Sequence, residues 1–131
     1  MQRSMRGQTG VEFALTAGIT VTLLFLIMNC CLALYAYSFV SYAAREGSRY
    51  AAVHGASNPS PAQVSDVTNI VAREAYGLNL DNLSVNTTWS PDNKPGSVVS
   101  VRVRYVFSFM VPFVHLSSVN LSSSSQMMIS Y

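Results

Sequence analysis

An α+β architecture is predicted: one long N-terminal helix carrying an exported domain built from a short helix and a three-stranded antiparallel sheet. Two observations lead to it. The first is a run of 32 residues without a formal charge, Phe13 to Ala44, in a chain of 131 residues. The second is a shift after Gly55 to breaker residues, one amphipathic helical pattern and then period-two alternation.

Composition narrows the class. Half of the residues are apolar and only 11% are charged, against roughly 25% in an ordinary soluble domain. The length suits one modest domain. A net charge of +2, with no cluster of Lys or Arg, argues against nucleic acid as a partner. The adjacent pair Cys30 and Cys31 does not form a disulfide framework, since neighbouring side chains diverge.

As a helix the uncharged run is about 48 Å long at 1.5 Å per residue, whereas a bilayer core is about 30 Å thick. The most apolar part, about residues 13–37, is therefore expected to span a lipid bilayer as a single pass. Tyr35, Tyr37, Phe39 and Tyr42 are placed as an interfacial aromatic belt where the helix emerges. Arg3 and Arg6 precede the run, with no acid among the first eleven residues, which predicts a cytoplasmic N-terminus and an exported C-terminal portion. The run is too long for a cleaved secretory signal and ends in no small-x-small site. Cys30 and Cys31 read as small lining residues of the helix.

Glu12 stands at the threshold of this run, where an unpaired carboxylate is costly. The residues before it supply a reason. Arg6-Gly7-Gln8-Thr9-Gly10-Val11-Glu12-Phe13 resembles the processing site of type IV prepilins, in which a basic leader ends in Gly, a membrane peptidase cuts after it, and Glu is the fifth mature residue. Cleavage between Gly7 and Gln8 fits this pattern; cleavage after Gly10 would place Glu12 second and does not. The resemblance implies that Glu12 and Phe13 serve recognition and alignment. Physically, the cut creates an α-ammonium on Gln8 four residues from Glu12, so the two charges can neutralise one another on one helical face or between packed subunits.

Two blocks make the resemblance more specific. Gly-x-x-x-Val-Glu-Phe-Ala-Leu at residues 7–15 and Ala-Ala-Arg-Glu-Gly-Ser-Arg-Tyr-Ala at residues 43–51 are similar to those of TadE-like proteins of the tight-adherence (Tad, or Flp-type) pilus system. The resemblance implies a minor pilin or pseudopilin of the bacterial inner membrane, associated with the pilus and serving adhesion or secretion. Its implied partners are the prepilin peptidase, other Tad pilins and pseudopilins, and the inner-membrane assembly platform. Helix-packing strips are also legible. Ala43, Gly47 and Ala51 recur every four residues, flanked by Arg45, Glu46 and Arg49, and Gly10, Ala14, Gly18 and Thr22 form a second strip inside the apolar run. Gly, Ala and Thr are also simply common in membrane helices.

The expected organisation is a leader at 1–7, a long helix at 8–54, a linker at 55–62 and an exported domain at 63–131. Ser60, Pro61 and Gln63 suggest an N-cap, a first-turn proline and a capping box. A helix follows with Val64, Val67, Ile70, Val71 and Ala75 on its apolar face, and Gly77 placed to stop it. Leu83, Val85, Thr87 and Trp89 alternate as a first strand, ahead of the turn-rich residues 91–96. Val99, Val101, Val103, Tyr105, Phe107 and Phe109 alternate with Ser100, Arg102, Arg104 and Ser108 in the longest strand, closed by Pro112. An apolar loop through Phe113 and Leu116 leads to a last strand, Leu121 to Tyr131, with Met127, Ile129 and Tyr131 on one side and Ser122 to Ser125 as its polar start. Three strands need a lid, and Phe39, Tyr42, Ala43 and Tyr50 of the long helix are expected to provide it.

No catalytic constellation is legible, and the chain is read as a peptidase substrate rather than an enzyme. His54 is expected to cap the long helix, and His115 is a loop residue without carboxylate or Cys neighbours at metal-ligand spacing. No metal or cofactor is called for. The rival expectation is an uncleaved, signal-anchored envelope protein whose exported domain binds a ligand or partner.

Overall fold

The computed structural model describes residues 3–112 and 114–130, with side chains described from Gly7 onward. The expectations placed on Phe113, on Tyr131 and on the first two leader residues lie outside these, as do those on the side chains of Arg3 and Arg6.

Helix α1 runs Arg3–Val53, 51 residues without a proline. It begins inside the expected leader and ends one residue before the expected boundary. At its C-terminal end the backbone N–H of His54 donates to the carbonyl of Tyr50 (3.1 Å), Nδ1 of His54 lies 3.0 Å from the same oxygen, and the two rings stack at 4.2 Å. The last turn thus has the imidazole cap that the sequence suggests.

Helix α2 spans Val64–Arg73. Its cap differs from expectation. Gln63, not Ser60, is the N-cap, and the reciprocal box closes with Asp66, whose carboxylate accepts from the Gln63 N–H at 3.0 Å. An acid three residues on outcompetes the serine because it also meets the positive end of the helix dipole. The helix stops at Arg73, and Gly77 serves instead in the following turn, where its φ of +73° suits a residue without Cβ.

Strands β1 (Leu83–Ser90), β2 (Val98–Phe107) and β3 (Val119–Met128) form one antiparallel sheet in the order β1-β2-β3. Strand β2 is central, and Val99, Val101, Val103, Tyr105 and Phe107 are buried while Arg102 and Arg104 are exposed. Phe109 lies beyond the strand end, in T-shaped contact with Phe107. The serine run is not the start of β3 but its middle. Ser123 and Ser125 face inward and pair with Val103 and Val101, and Ser122 and Ser124 sit opposite Arg104 and Arg102. Ile129 lies just past β3 yet is fully buried, pinned by backbone hydrogen bonds to Ser97 (2.8 Å) and Gly96 (3.0 Å).

Helices α1 and α2 cover one face of the sheet, and the core runs from Ala36 to Ala52 of α1 through Val67 and Val71 of α2 to the β2 valines. The lid is as expected except at one residue: Phe39 and Ala43 are buried, Tyr50 is half-buried, but Tyr42 points to solvent at 55% exposure. One feature of β1 opposes the packing. The hydroxyl of Thr87 is buried without a hydrogen-bond partner among the described residues, and such a group costs about 1–3 kcal/mol. Thr87→Val, which keeps the shape and removes the hydroxyl, is expected to raise unfolding stability by about 1 kcal/mol, read as a higher urea midpoint at constant slope.

Candidate processing site and helix-packing surfaces

Three surfaces of α1 hold the candidate residues, and they follow one another along the helix. The first holds Gly7, Gln8, Glu12 and Phe13, all exposed and all helical. In one continuous helix, Gln8 and Glu12 are four residues apart and share a face. The Cα–Cβ bond of a helical residue tilts toward the N-terminus of its helix, so the Glu12 side chain leaves the backbone toward the turn that holds Gln8. Among the described residues no ion pair reaches Glu12; the ion pair there is Lys94–Asp92, 3.4 Å, on an exposed loop. Cutting that bond would make Gln8 a helix terminus with four unpaired N–H groups and a cation, the setting in which a carboxylate in the opening turns is favoured.

The second surface is the apolar helix itself. From Gly7 to Met28 every residue is exposed except Ala17 and Thr22, which are intermediate. A core helix of a soluble protein would be covered by its own chain; this one is not, and its most apolar stretch has a mean hydropathy of 2.2. It is long and apolar enough to cross a membrane. Its polar side chains fit that environment. Thr16, Thr20 and Thr22 each donate to the carbonyl four residues earlier, at 2.8, 2.8 and 2.9 Å, so no hydroxyl between Phe13 and Met28 needs water. Ala14, Gly18 and Thr22 floor a shallow apolar groove walled by Leu15, Ile19 and Leu26. A Cβ added at Gly10 or Gly18 would meet nothing within 4 Å, which leaves both glycines free to admit another helix.

The third surface is the Ala43–Ala51 strip, and here the chain packs on itself. Ala43, Ala44, Gly47, Ser48, Ala51 and Ala52 are all buried. A Cβ at Gly47 would lie 3.1 Å from a Val67 methyl of α2 and 3.2 Å from a Val101 methyl of β2. Gly47 is therefore the point where α1, α2 and the sheet meet. Ser48, which the sequence reading passed over, has its Oγ 2.9 Å from the Arg45 carbonyl of its own helix and 2.8 Å from Ser125 Oγ, the second contact crossing the helix–sheet seam. Serines inward on β3 and Ala, Gly and Ser on α1 bring helix and sheet close together. Arg45 and Arg49 project outward on the flanks, and Glu46 is half-buried between them. The aromatic belt is divided by the same packing. Phe39 belongs to the core, and Tyr35, Tyr37 and Tyr42 remain outside, with Tyr35 donating to the Tyr76 carbonyl at 2.9 Å.

Elsewhere the exposed sheet face carries Arg102 and Arg104 beside Ser84 and Asn86, an open polar surface. Asp92, in the β1–β2 loop, has its carboxyl held below the usual aspartate range by hydrogen bonds from the Ser97 hydroxyl (2.7 Å) and the Lys94 N–H (3.1 Å). Its role is local: it braces the turn that receives Ile129.

These features define a class, a helix-anchored α+β protein in which a bare apolar helix projects from a small domain that folds around the helix's other half. A comparison places the helical segment. Residues 7–49, about a third of the chain, match the family model described as TadE-like protein. No curated protein and no solved structure matches the chain. The matched stretch runs from Gly7 to Arg49, so it takes in both motif blocks nearly whole and none of the sheet.

Proposed function

We propose that this protein is a minor pilin or pseudopilin of a Tad pilus system, cut by a prepilin peptidase between Gly7 and Gln8 and held as a single-pass protein of the bacterial inner membrane. The match of residues 7–49 to the TadE-like family model supports association with the Tad pilus. The observation that carries the finer reading is the junction at the start of α1: a Gly–Gln bond, a carboxylate four residues on from the would-be terminus and an uncovered apolar helix beyond it. The N-terminus faces the cytoplasm and the domain lies outside. Lipid, the peptidase, sibling pilins and the assembly platform are the partners, and the chain is a substrate of catalysis rather than a catalyst.

In this mechanism the leader's basic residues keep it cytoplasmic until the cut. Removing Met1–Gly7 discards Arg3 and Arg6 and leaves 6 basic against 6 acidic side chains in a mature subunit of 124 residues. The new ammonium and Glu12 then neutralise one another as the helix enters a bundle, while the Gly10, Ala14 and Gly18 strip allows close approach. Beyond the membrane the domain is already seated on the second strip, so assembly exposes no new core. Intact-mass spectrometry of the membrane-extracted chain, co-expressed with the peptidase, is expected to show a protein starting at Gln8. A chain retaining Met1 under those conditions would overturn the pilin reading in favour of an uncleaved signal anchor whose exported domain binds a ligand or partner.

A further inference from the structure

We infer that the loop between β2 and β3, in its described residues 108–112 and 114–118, is a second membrane contact, whose apolar tip enters the headgroup–acyl boundary of the outer leaflet beside α1. The inference rests on α1 spanning the bilayer, and its test is arranged to separate the two ideas.

The first argument is position. Asn29 of α1 is buried at 3% exposure, and its side chain holds the loop by both ends of one residue: Nδ2 donates to the Met110 carbonyl at 3.0 Å and Oδ1 accepts from the Met110 N–H at 2.9 Å. Asn29 is 17 residues beyond Glu12, so the clamp lies about 26 Å along the helix. With Glu12 at the inner threshold and a hydrocarbon core of about 30 Å, Met110 is held at the outer edge of the core, and a helix tilt of roughly 20° lowers it only slightly.

The second argument is composition. No Asp, Glu, Lys or Arg occurs after Arg104, and α1 has none between Glu12 and Arg45, so two uncharged stretches are brought side by side. Met110 is 81% exposed, and Val114 and Leu116 are 44% and 43% exposed. These side chains continue the bare surface of Phe25, Met28 and Leu32, which line the same cleft. Ser108, His115, Ser117 and Ser118 are exposed too, but none carries a formal charge at neutral pH, and the loop also turns out methionine, valine and leucine.

The third argument concerns the backbone. Irregular chain near hydrocarbon depth is tolerated only where its polar groups are satisfied by protein. Asn29 satisfies both main-chain groups of Met110, and a turn bond from the Val114 N–H to the Val111 carbonyl (3.4 Å) closes the tip. The same clamp solves the problem of an asparagine on an apolar helix: Nδ2 also donates to the Phe25 carbonyl at 2.8 Å. A second copy of the chain would also bury an apolar tip, but continuity with the bare helix at one membrane depth favours lipid.

The test uses the full chain with Trp89→Phe, which removes its one tryptophan, reconstituted at high lipid ratio in phosphatidylethanolamine–phosphatidylglycerol vesicles with brominated acyl chains. Single tryptophans are then introduced as Leu15→Trp in the helix, Met110→Trp or Leu116→Trp in the loop, and Thr88→Trp on the exposed sheet face. Bromine is expected to quench Met110→Trp at least half as strongly as Leu15→Trp, with a blue-shifted emission, and to leave Thr88→Trp unquenched. Leu116→Trp gives the same reading from a second position. If Leu15→Trp is quenched and both loop probes behave like Thr88→Trp, the loop inference fails and the spanning helix stands. If Leu15→Trp is not quenched, the spanning reading fails and the loop inference with it.

Discussion

Gly47→Leu is expected to destabilise the exported domain by about 3 kcal/mol, the upper end of what overpacking a close contact costs. The reason is geometric. A Cβ alone would stand 3.1 and 3.2 Å from methyls of Val67 and Val101, and those valines are fully buried, with little room to retreat. Three further carbons cannot be housed unless α2 or the sheet moves away from α1. Gly47→Ala is the finer probe: its gain in helix propensity, about 1 kcal/mol, opposes a contact that a shift of a few tenths of an ångström relieves. Its net effect is expected to stay within about 1 kcal/mol. Urea unfolding in detergent, followed by Trp89 fluorescence, measures both. Gly18→Leu is the counterpart, because nothing lies within 4 Å of a Cβ there; it should leave the domain's midpoint unchanged and impair assembly instead. An unchanged midpoint in Gly47→Leu would contradict the seam described above.

Glu12→Ala is expected to insert into the membrane at the wild-type level and to lower the yield of sheared pili about tenfold or more, a loss of about 1.4 kcal/mol in the assembly equilibrium. Insertion should be spared because removing a charge at the threshold of an apolar helix lowers the cost of burial. Assembly should suffer because the Gln8 ammonium created by cleavage would enter the bundle without its counter-charge. Glu12→Asp, which keeps the charge on a shorter stem, should retain more function than Glu12→Gln, which keeps the size and loses the charge. Normal piliation in Glu12→Ala would remove the alignment role proposed for this residue, even if cleavage at Gly7 occurs. Membrane level and pilus yield must be read from the same cells, so that poor expression is not taken for poor assembly.

The two small-residue strips show how far sequence reasoning reached. Both were visible as four-residue repeats, Gly10-Ala14-Gly18 and Ala43-Gly47-Ala51, and spacing places each on one helical face. Spacing says nothing about which partner a face meets. The outer strip is filled by the chain's own valines and serines, whereas the inner one is bare. Ser48 and Ser125 were not legible as a pair, because their meeting depends on the register of β3 against β2 and on the approach of α1, both set by distant contacts. Likewise nothing local in the sequence points from Asn29, 81 residues onward, to Met110.

The termini of α2 and β3 moved for a related reason. Ser60-Pro61 is a good local cap signal, but the Gln63–Asp66 pair closes a reciprocal box with the helix dipole behind it. The serine run in β3 looked like a polar approach to a strand because serine is not a core residue by composition. In the folded protein it is the small surface on which a small-residue helix rests.

Sequence by itself determined the long apolar helix, the threshold carboxylate with its Gly–Gln junction, the alternation of the three strands and the resemblance at residues 7–15 and 43–51, because charge, hydropathy and period are local properties of the chain. Only the tertiary structure decided which half of the helix is covered, that Gly47 is the crossing point of helix and sheet, and that Asn29 holds the apolar loop. Those outcomes depend on which surfaces meet across long sequence separations, and pairing of that kind is fixed by close packing rather than by residue pattern.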